Sequence, residues 1–232
     1  GTTGLSASRQ NKFNKVMQLI FIGSSMTKRN KSCESEVMLT MQRKELLKKS
    51  AIRHAEYYGM VEVQDALYAD SANKKIFTDL ISIIGSDANI KMAYRNLKSN
   101  KGSNTPGVDG KTFKDLAEMS EEALVRCVRD KILNYQPKAV RRVYIPKPNG
   151  KMRPLGIPTV IDRIVQQSVL QVMEPICEAK FYRHSYGFRP NRSTKNAVAV
   201  CYKLAQVDGF HYVVDVDIKG FFDNVDHGKL LK

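Results

Sequence analysis

Two aspartates near the end of the sequence, Asp215 and Asp217, have a spacing that could hold a metal ion. They alternate with valines, and residues two apart on a β-strand point to the same face. Two carboxylates on one face repel each other unless a cation or solvent screens them. A Mg²⁺ site for phosphoryl chemistry is one interpretation. Solvated aspartates on an edge strand are the other, and for this strand taken alone they are the better one.

Residues 138–153 form a strongly basic segment that holds six cations and no acid. The turn signal Asn149-Gly150 joins two β-rich runs, 140–145 and 152–157, and so predicts a hairpin. Long cations on such a stiff arm suit the binding of a triphosphate or of a nucleic-acid backbone. Cations that only protect edge strands from pairing are an equally good interpretation of the charge alone.

A second basic cluster, residues 186–195, mixes aromatic side chains with cations. Phe188 next to Arg189 suits stacking on a base together with a phosphate contact. The alternative is a plain loop that leads into a helix capped by Ser193. That alternative is more credible for residues 191–194 than for Phe188 and Arg189.

The sequence as a whole is basic, which favours a polyanionic partner. Its 38 Lys and Arg against 23 Asp and Glu give a formal net charge of +15 and a pI near 9.7. Because binding to a polyphosphate releases counterions, nucleic acid is the leading candidate. The hydrophobic fraction of 42% excludes a wholly disordered or fibrous protein.

The cysteines and the apolar runs indicate the cellular compartment in which the protein is expected. None of the 4 cysteines forms a CxxC pair, which favours reduced thiols in a cytosolic protein over a zinc site or disulfides. Cys127, Cys177 and Cys201 fall within helical apolar patterns, where a thiol packs as a small hydrophobe. The early apolar run at 16–23 is too short to cross a bilayer, so no membrane partner is expected.

Four amphipathic helices are predicted to position these clusters. Ser86 or Asp87 caps the first, Ser120 the second, Thr159 with Asp162 the third, and Ser193 the fourth. The residues expected to face the interior are Ile90, Tyr94 and Leu97, then Leu124, Val128 and Ile132, then Val165, Val169, Val172, Met173 and Ile176, and finally Ala197, Cys201 and Leu204. With the hairpin and the strand through Asp217, these helices predict a mixed α/β (α+β) fold.

Four segments, in this order, resemble those of the reverse transcriptases that group II introns encode. They are residues 89–113 with Pro-Gly-Val-Asp-Gly, the hairpin at 141–158 running on into Asp-Arg-Ile-Val-Gln-Gln at 162–167, the loop at 185–192, and residues 214–227 with Asp-Val-Asp-Ile-Lys-Gly-Phe-Phe-Asp. Any one segment is modest evidence. Their shared order over about residues 86–232 makes the resemblance specific.

The resemblance implies a right-hand polymerase fold and divides the chain into three parts. Residues 1–85 are expected to be a basic, mostly helical extension. Residues 86–210 would form the fingers, with the basic hairpin, and part of the palm. Residues 211–232 would begin the palm with the first catalytic aspartate strand. Such a strand would leave an open edge, so self-association into a homodimer is a further expectation.

The resemblance also implies roles for single residues. Asp217 is similar to the first catalytic aspartate, and the Ile218 carbonyl to a further ligand of Mg²⁺. Lys147 and Arg153 are similar to residues that bind the incoming triphosphate, and Phe222 to the residue beneath its sugar. The cations expected to contact RNA, from the resemblance and from the two basic clusters, are Arg141, Arg142, Lys151, Arg189 and Arg192. Asp215 and Asp223 are interpreted as structural.

The function implied is RNA-directed DNA polymerisation, in which two Mg²⁺ ions assist nucleotide transfer from a dNTP to a DNA primer on an RNA template. The sequence resembles the N-terminal part of such a protein and contains half of the metal site. The chain by itself is therefore expected to bind RNA without extending primers. The alternative is a non-enzymatic splicing cofactor, or maturase, that binds its group II intron RNA. Either protein is expected in the cytoplasm, associated with RNA or the nucleoid.

Overall fold

The computed structural model describes residues 53–146, 148, 150–218, 220–221 and 224–230. The chain divides into two compact units, the first ending at Cys177 and the second beginning at Glu178. The described part is mainly helical with one two-stranded antiparallel sheet, which agrees with the predicted mixture of helix and strand. Most of the predicted N-terminal extension lies outside the described residues.

The first unit contains most of the regular structure. Its elements are α1 (Val61–Ala72), α2 (Leu80–Ile84), α3 (Asp87–Lys98), a 3-10 helix (Lys101–Asn104), α4 (Phe113–Leu116), α5 (Glu121–Leu133), β1 (Arg141–Pro146), β2 (Met152–Ile157) and α6 (Val160–Glu178). The second unit begins at the last residue of α6 and contains α7 (Thr194–Gln206) and α8 (His227–Leu230).

The predicted helix starts are confirmed. Each capping side chain accepts a hydrogen bond from a backbone N–H that has no partner within its helix. The hydroxyls of Ser86, Ser120 and Ser193 accept hydrogen bonds from backbone N–H groups at the starts of α3, α5 and α7. At α6, the Thr159 hydroxyl accepts from the Asp162 N–H at 3.2 Å and donates to the Asp162 carboxylate at 2.7 Å.

The core of the first unit combines the inner faces of α3, α5 and α6. Its completely buried apolar residues are Ile90, Ala93, Val128, Ile164 and Val172. The expected burial of Val169 and Met173 is wrong, since both side chains are exposed. The inner face of α6 instead includes Ser168 and Gln171, two polar residues at apolar helical spacing.

A buried pair of amides, Asn89 on α3 and Gln171 on α6, fills this place in the core. The Gln171 amide donates to the Asn89 side-chain oxygen at 2.7 Å and to its backbone carbonyl at 3.1 Å. The Asn89 amide donates to the carbonyls of Ile84 and Ser168 at 2.9 and 3.0 Å. Asn96 completes the network by donating to the Gln171 oxygen at 3.0 Å. The pair is buried at low cost because both amide groups are hydrogen-bonded.

Pro175 inside α6 explains how α1 is attached. A proline has no N–H, so it leaves the carbonyl of Gln171, four residues earlier, without its helical donor. The Gln64 side chain on α1 donates to that carbonyl at 3.2 Å. The Ser71 hydroxyl on α1 donates to the Ile176 carbonyl at 2.8 Å, in the last turn of α6. The proline therefore gives α1 a place to bind rather than ending the helix.

The second unit departs further from the sequence-based expectations. None of the residues of α7 is buried: Ala197 is half-buried, and Cys201 and Leu204, expected inside, are exposed. The predicted strand through Asp217 is not formed, since residues 211–218 are irregular and exposed. A β-strand is stabilised by hydrogen bonds to a neighbouring strand. The described residues of this unit contain no such neighbour.

The described cysteines are free thiols, as the sequence predicts. Cys127 and Cys201 are nevertheless exposed, so the expectation that they pack as core residues is wrong. Cys33 lies outside the described residues. Over the part of the chain that the structure describes, no helix combines the length and apolar character needed to cross a bilayer.

We predict that Gln171→Leu lowers the free energy of unfolding by about 1–3 kcal/mol, because it leaves the buried side-chain oxygen of Asn89 without its donor and the half-buried amide of Asn96 without its acceptor. Denaturant unfolding followed by circular dichroism measures the change. Gln166→Leu, an exposed position on the same helix, is the matched control and should change stability by less than about 0.5 kcal/mol. Equal effects of the two substitutions would contradict a structural role for the amide pair.

Candidate nucleic-acid interface

The hairpin forms between β1 and β2 as predicted, and its register decides on which face each cation lies. Arg142 pairs with Gly156, and Arg153 pairs with Ile145. Because side chains alternate along a strand, Arg142 lies on one face of the hairpin and Arg153 on the other. Both arginines are exposed. At the turn, Gly150 has a φ of 77°, which favours glycine, while Lys147 lies outside the described residues.

Arg141 at the base of the hairpin has a structural contact in addition to its predicted RNA contact. Its Nε donates to the Pro106 carbonyl at 3.0 Å, so the guanidinium is half-buried against the loop at 101–110. This hydrogen bond anchors the hairpin to the rest of the first unit. The RNA contact stays a prediction.

Arg163, at the start of α6, holds the same loop from the other side, and sequence reasoning missed it. Its Nη1 and Nη2 donate to the carbonyls of Gly102 and Thr105 at 2.9 and 2.7 Å, and the guanidinium lies 5.8 Å from the centre of the Phe113 ring. Burial lowers the pKa of the Arg163 guanidinium from its ordinary value. Its place beside the cap of α6 is the only sequence signal that could have suggested this role.

Gly107 lets the loop approach α6 closely. A Cβ at this position would lie 2.7 Å from the Thr159 Cα and 3.0 Å from the Pro158 carbonyl. Only a glycine permits that approach without movement of the backbone. The loop is therefore fitted against the junction between the hairpin and α6.

Arg189 in the second unit corrects the predicted RNA contact. Its side chain is buried, with a residue exposure of 8%. Its Nε and Nη2 donate to the Glu178 carboxylate at 2.9 and 2.6 Å, and its Nη1 donates to the carbonyls of Tyr182 and Ser185 at 2.8 and 3.0 Å. The guanidinium also stacks on Phe181, 5.1 Å from the ring centre. In this geometry Arg189 fixes the loop at 178–189 instead of facing a phosphate.

Arg192 of the same cluster is less enclosed. Its guanidinium lies 5.4 Å from the centre of the Tyr186 ring, and its Nη1 donates to the Arg183 carbonyl. The residue is half-buried. A tyrosine with an arginine over its face is an arrangement that also suits base or phosphate contact, so the RNA contact of Arg192 stays a prediction.

The aspartate segment is solvated in the described structure. Asp215, Asp217 and Ile218 are all exposed. Among the described residues, no group of three or more His, Cys, Asp or Glu side chains comes together in a way that could hold a metal ion. Phe222 and Asp223 lie outside the described residues.

Comparison with known proteins decides the family. Residues 145–232 match the family model of reverse transcriptases (RNA-dependent DNA polymerases). The chain is 41% identical over 141 residues to the group II intron-encoded protein LtrA of Lactococcus lactis subsp. cremoris, a match that covers 60% of this chain and 23% of that protein. Over residues 145–232 the chain belongs to the reverse-transcriptase family, and its relatives support a group II intron reverse transcriptase or maturase. The family implies the reverse-transcriptase fold, with which the helices and the small antiparallel sheet are consistent.

Two further relatives also match the chain. Protein YkfC of Escherichia coli (strain K12) is 45% identical over 146 residues, covering 60% of this chain and 38% of that protein. A putative COX1/OXI3 intron 1 protein of Saccharomyces cerevisiae is 30% identical over 174 residues, covering 72% of this chain and 20% of that protein. The chain thus spans less than two fifths of the length of these curated relatives.

We predict that Gly107→Ala destabilises the first unit by about 1–3 kcal/mol, because the added methyl group forces the loop away from Thr159. Thermal unfolding by circular dichroism measures the effect. Gly102→Ala, in the same loop but with no atom within 4 Å of its Cβ position, is the control and should change the melting temperature little. A milder effect at Gly107 than at Gly102 would refute the close fit.

The Glu178–Arg189 pair makes the stability of the second unit depend on pH. The hydrogen bond from Arg189 holds the pKa of the Glu178 carboxyl below its usual value of 4.5. A lowered folded-state pKa contributes stability above the unfolded pKa and loses it as the pH falls through the folded pKa. We predict that Glu178→Gln lowers the melting temperature near neutral pH, and that the difference from wild type shrinks below the usual carboxyl pKa.

The measurement is the melting temperature of both proteins across a pH series from about 3 to 7. Glu118→Gln, an exposed position in the first unit, serves as the control and should track the wild type throughout. A difference at Glu178 that stays constant down to the lowest pH would contradict the ion pair as its cause.

Proposed function

We propose that this protein is an RNA-directed DNA polymerase that extends a DNA primer on an RNA template and also binds group II intron RNA. The observation that carries the proposal is the match of residues 145–232 to reverse transcriptases, because that range contains the tip of the hairpin and Asp217. The Lactococcus relative is by its name encoded by a group II intron, which supports intron RNA as the partner.

The exposed cations of the hairpin supply the RNA-binding surface in this proposal. Arg142 and Arg153 extend to opposite faces of a two-stranded arm whose base is fixed by Arg141. A fixed arm loses little entropy when its side chains meet a phosphate backbone, and arginine binds phosphate oxygens in a bidentate manner. The net charge of +15 supplies long-range attraction to the same partner.

The catalytic assignment follows the family motifs. Asp217 and the Ile218 carbonyl hold Mg²⁺, Lys147 and Arg153 bind the triphosphate of the incoming dNTP, and Phe222 lies beneath its sugar. Carboxylate and carbonyl oxygens are the ligands that Mg²⁺ prefers. A two-metal site needs more carboxylates than this segment provides. Mg²⁺ is therefore proposed as the cofactor of the polymerase, with Asp217 as one ligand.

Splicing assistance, or maturase activity, is the second candidate, and one observation favours it. The described residues of the hairpin and of the loop at 178–189 present cations and aromatic rings to solvent. RNA binding of this kind needs no chemistry, and it uses the same surface as polymerisation. The two functions are compatible in one protein.

One experiment on the whole protein tests both candidates with the same preparations. We predict that Asp217→Asn abolishes Mg²⁺-dependent primer extension on an RNA template, while it changes the affinity for intron RNA by less than about twofold because RNA contacts come from other residues.

Arg142→Ala is expected to weaken RNA binding and to lower the slope of log affinity against log salt by about 1. Fluorescence anisotropy at several salt concentrations and gel-resolved primer extension provide the two measurements.

Arg126→Ala removes an exposed cation from α5, away from the hairpin, and should leave the affinity close to that of the wild type. Equal affinity for duplex DNA and intron RNA would contradict RNA as the preferred partner. RNA binding by the whole wild-type protein with no primer extension under any Mg²⁺ condition would leave the splicing function and overturn the polymerase.

A further inference from the structure

Phe188 is the most exposed aromatic residue in the described structure, and its backbone lies in the left-handed region. Its side chain is fully exposed, and its backbone has a φ of 55°. A left-handed backbone is uncommon for a bulky residue, since its Cβ approaches the following carbonyl. Exposing this ring adds nothing to the stability of the second unit. A strained and exposed aromatic residue is a reason to look for a binding role.

The loop around Phe188 is built to keep the ring in this position. The following residue, Arg189, is buried and hydrogen-bonded to the carbonyls of Tyr182 and Ser185 and to the Glu178 carboxylate. Relaxing the backbone at Phe188 would displace that guanidinium from its partners. The buried Arg189 thus determines the backbone on one side of Phe188 and directs the ring outwards.

The chemistry of the surroundings identifies the kind of partner. Residues 178–195 contain five Lys and Arg and a single acid, Glu178, whose charge is already matched by Arg189. Arg192 lies over the ring of Tyr186 within the same loop. A flat apolar ring in a basic loop suits a partner with flat rings on an anionic backbone, namely an unpaired strand of nucleic acid. An apolar protein surface would have to desolvate these cations.

We propose that Phe188 is a stacking residue for an unpaired base of single-stranded RNA. This inference rests on the proposed RNA-binding function and adds a specific contact to it: Arg189 positions the ring, and Arg192 with its neighbours receives the phosphates on either side. A base has a π-face whatever its identity, so the contact contributes affinity without sequence preference.

The test compares three variants at Phe188 in the full 232-residue chain, with a single-stranded RNA of about 12 nucleotides that carries one 2-aminopurine. Phe188→Ala should weaken binding by roughly 5- to 150-fold and reduce the quenching of 2-aminopurine on binding. The salt slope should not change, because no charge is removed. Phe188→Trp should retain affinity and quenching. Phe188→Gly should lose RNA affinity while the melting temperature stays the same or rises, since glycine relieves the left-handed strain.

Phe210→Ala is the matched control, because Phe210 is an exposed aromatic residue of the same unit outside the loop, and it should bind RNA like the wild type. Unchanged RNA affinity in Phe188→Ala, with wild-type binding intact, would overturn the stacking role alone. A lower melting temperature with unchanged RNA affinity would do the same and would indicate that the ring packs against protein. Failure of the wild-type chain to bind the RNA at all would overturn the proposed RNA binding as well.

Discussion

The hydrogen-bonded pair Asn89–Gln171 is the interaction on which the arrangement of the first unit depends. A leucine pair at these positions could slide along the helices, but two amides that must satisfy all their donors fit one register only. The pair joins the end of α2, the first turn of α3 and the middle of α6 through the carbonyls of Ile84 and Ser168. It therefore fixes the register in which α6 packs against α3.

The start of α6, which Thr159 caps, connects the helical core to the hairpin. The residues just before α6 contact Gly107 so closely that no other side chain fits there. Arg163 and Arg141 then hold the same loop through its backbone carbonyls. Arg163 and Arg141 donate their hydrogen bonds to the protein itself, whereas Arg142 and Arg153, farther along the strands, are exposed. Position relative to the loop, more than residue type, separates the structural cations from those available to a partner.

Features decided by neighbours in sequence could be predicted, and features decided by distant contacts could not. The pairing of β1 with β2 and the caps Ser86, Ser120 and Ser193 are decided locally, and all form as expected. The burial of Gln171 depends on Asn89, which is distant from it in the chain. Likewise, no spacing rule distinguishes Arg189 from its neighbour Arg192, because only the position of Glu178 decides which of them is buried. The aspartate strand fails for the same reason: its partner strand is not among its neighbours in sequence.

The distinction between buried and exposed cations also changes what the net charge means. A formal charge of +15 suggests a large number of phosphate contacts. Arg189 and Arg163 do not belong in that number, because their guanidinium groups are hydrogen-bonded to a carboxylate and to backbone carbonyls. Breaking these contacts to reach a phosphate would leave the carboxylate and carbonyl oxygens without their arginine donors, and that cost is comparable to the free energy of the new hydrogen bond to the phosphate. The salt dependence of RNA binding should therefore report the exposed cations of the hairpin and of the loop around Phe188, and Arg189 and Arg163 should affect it only through the shape they impose.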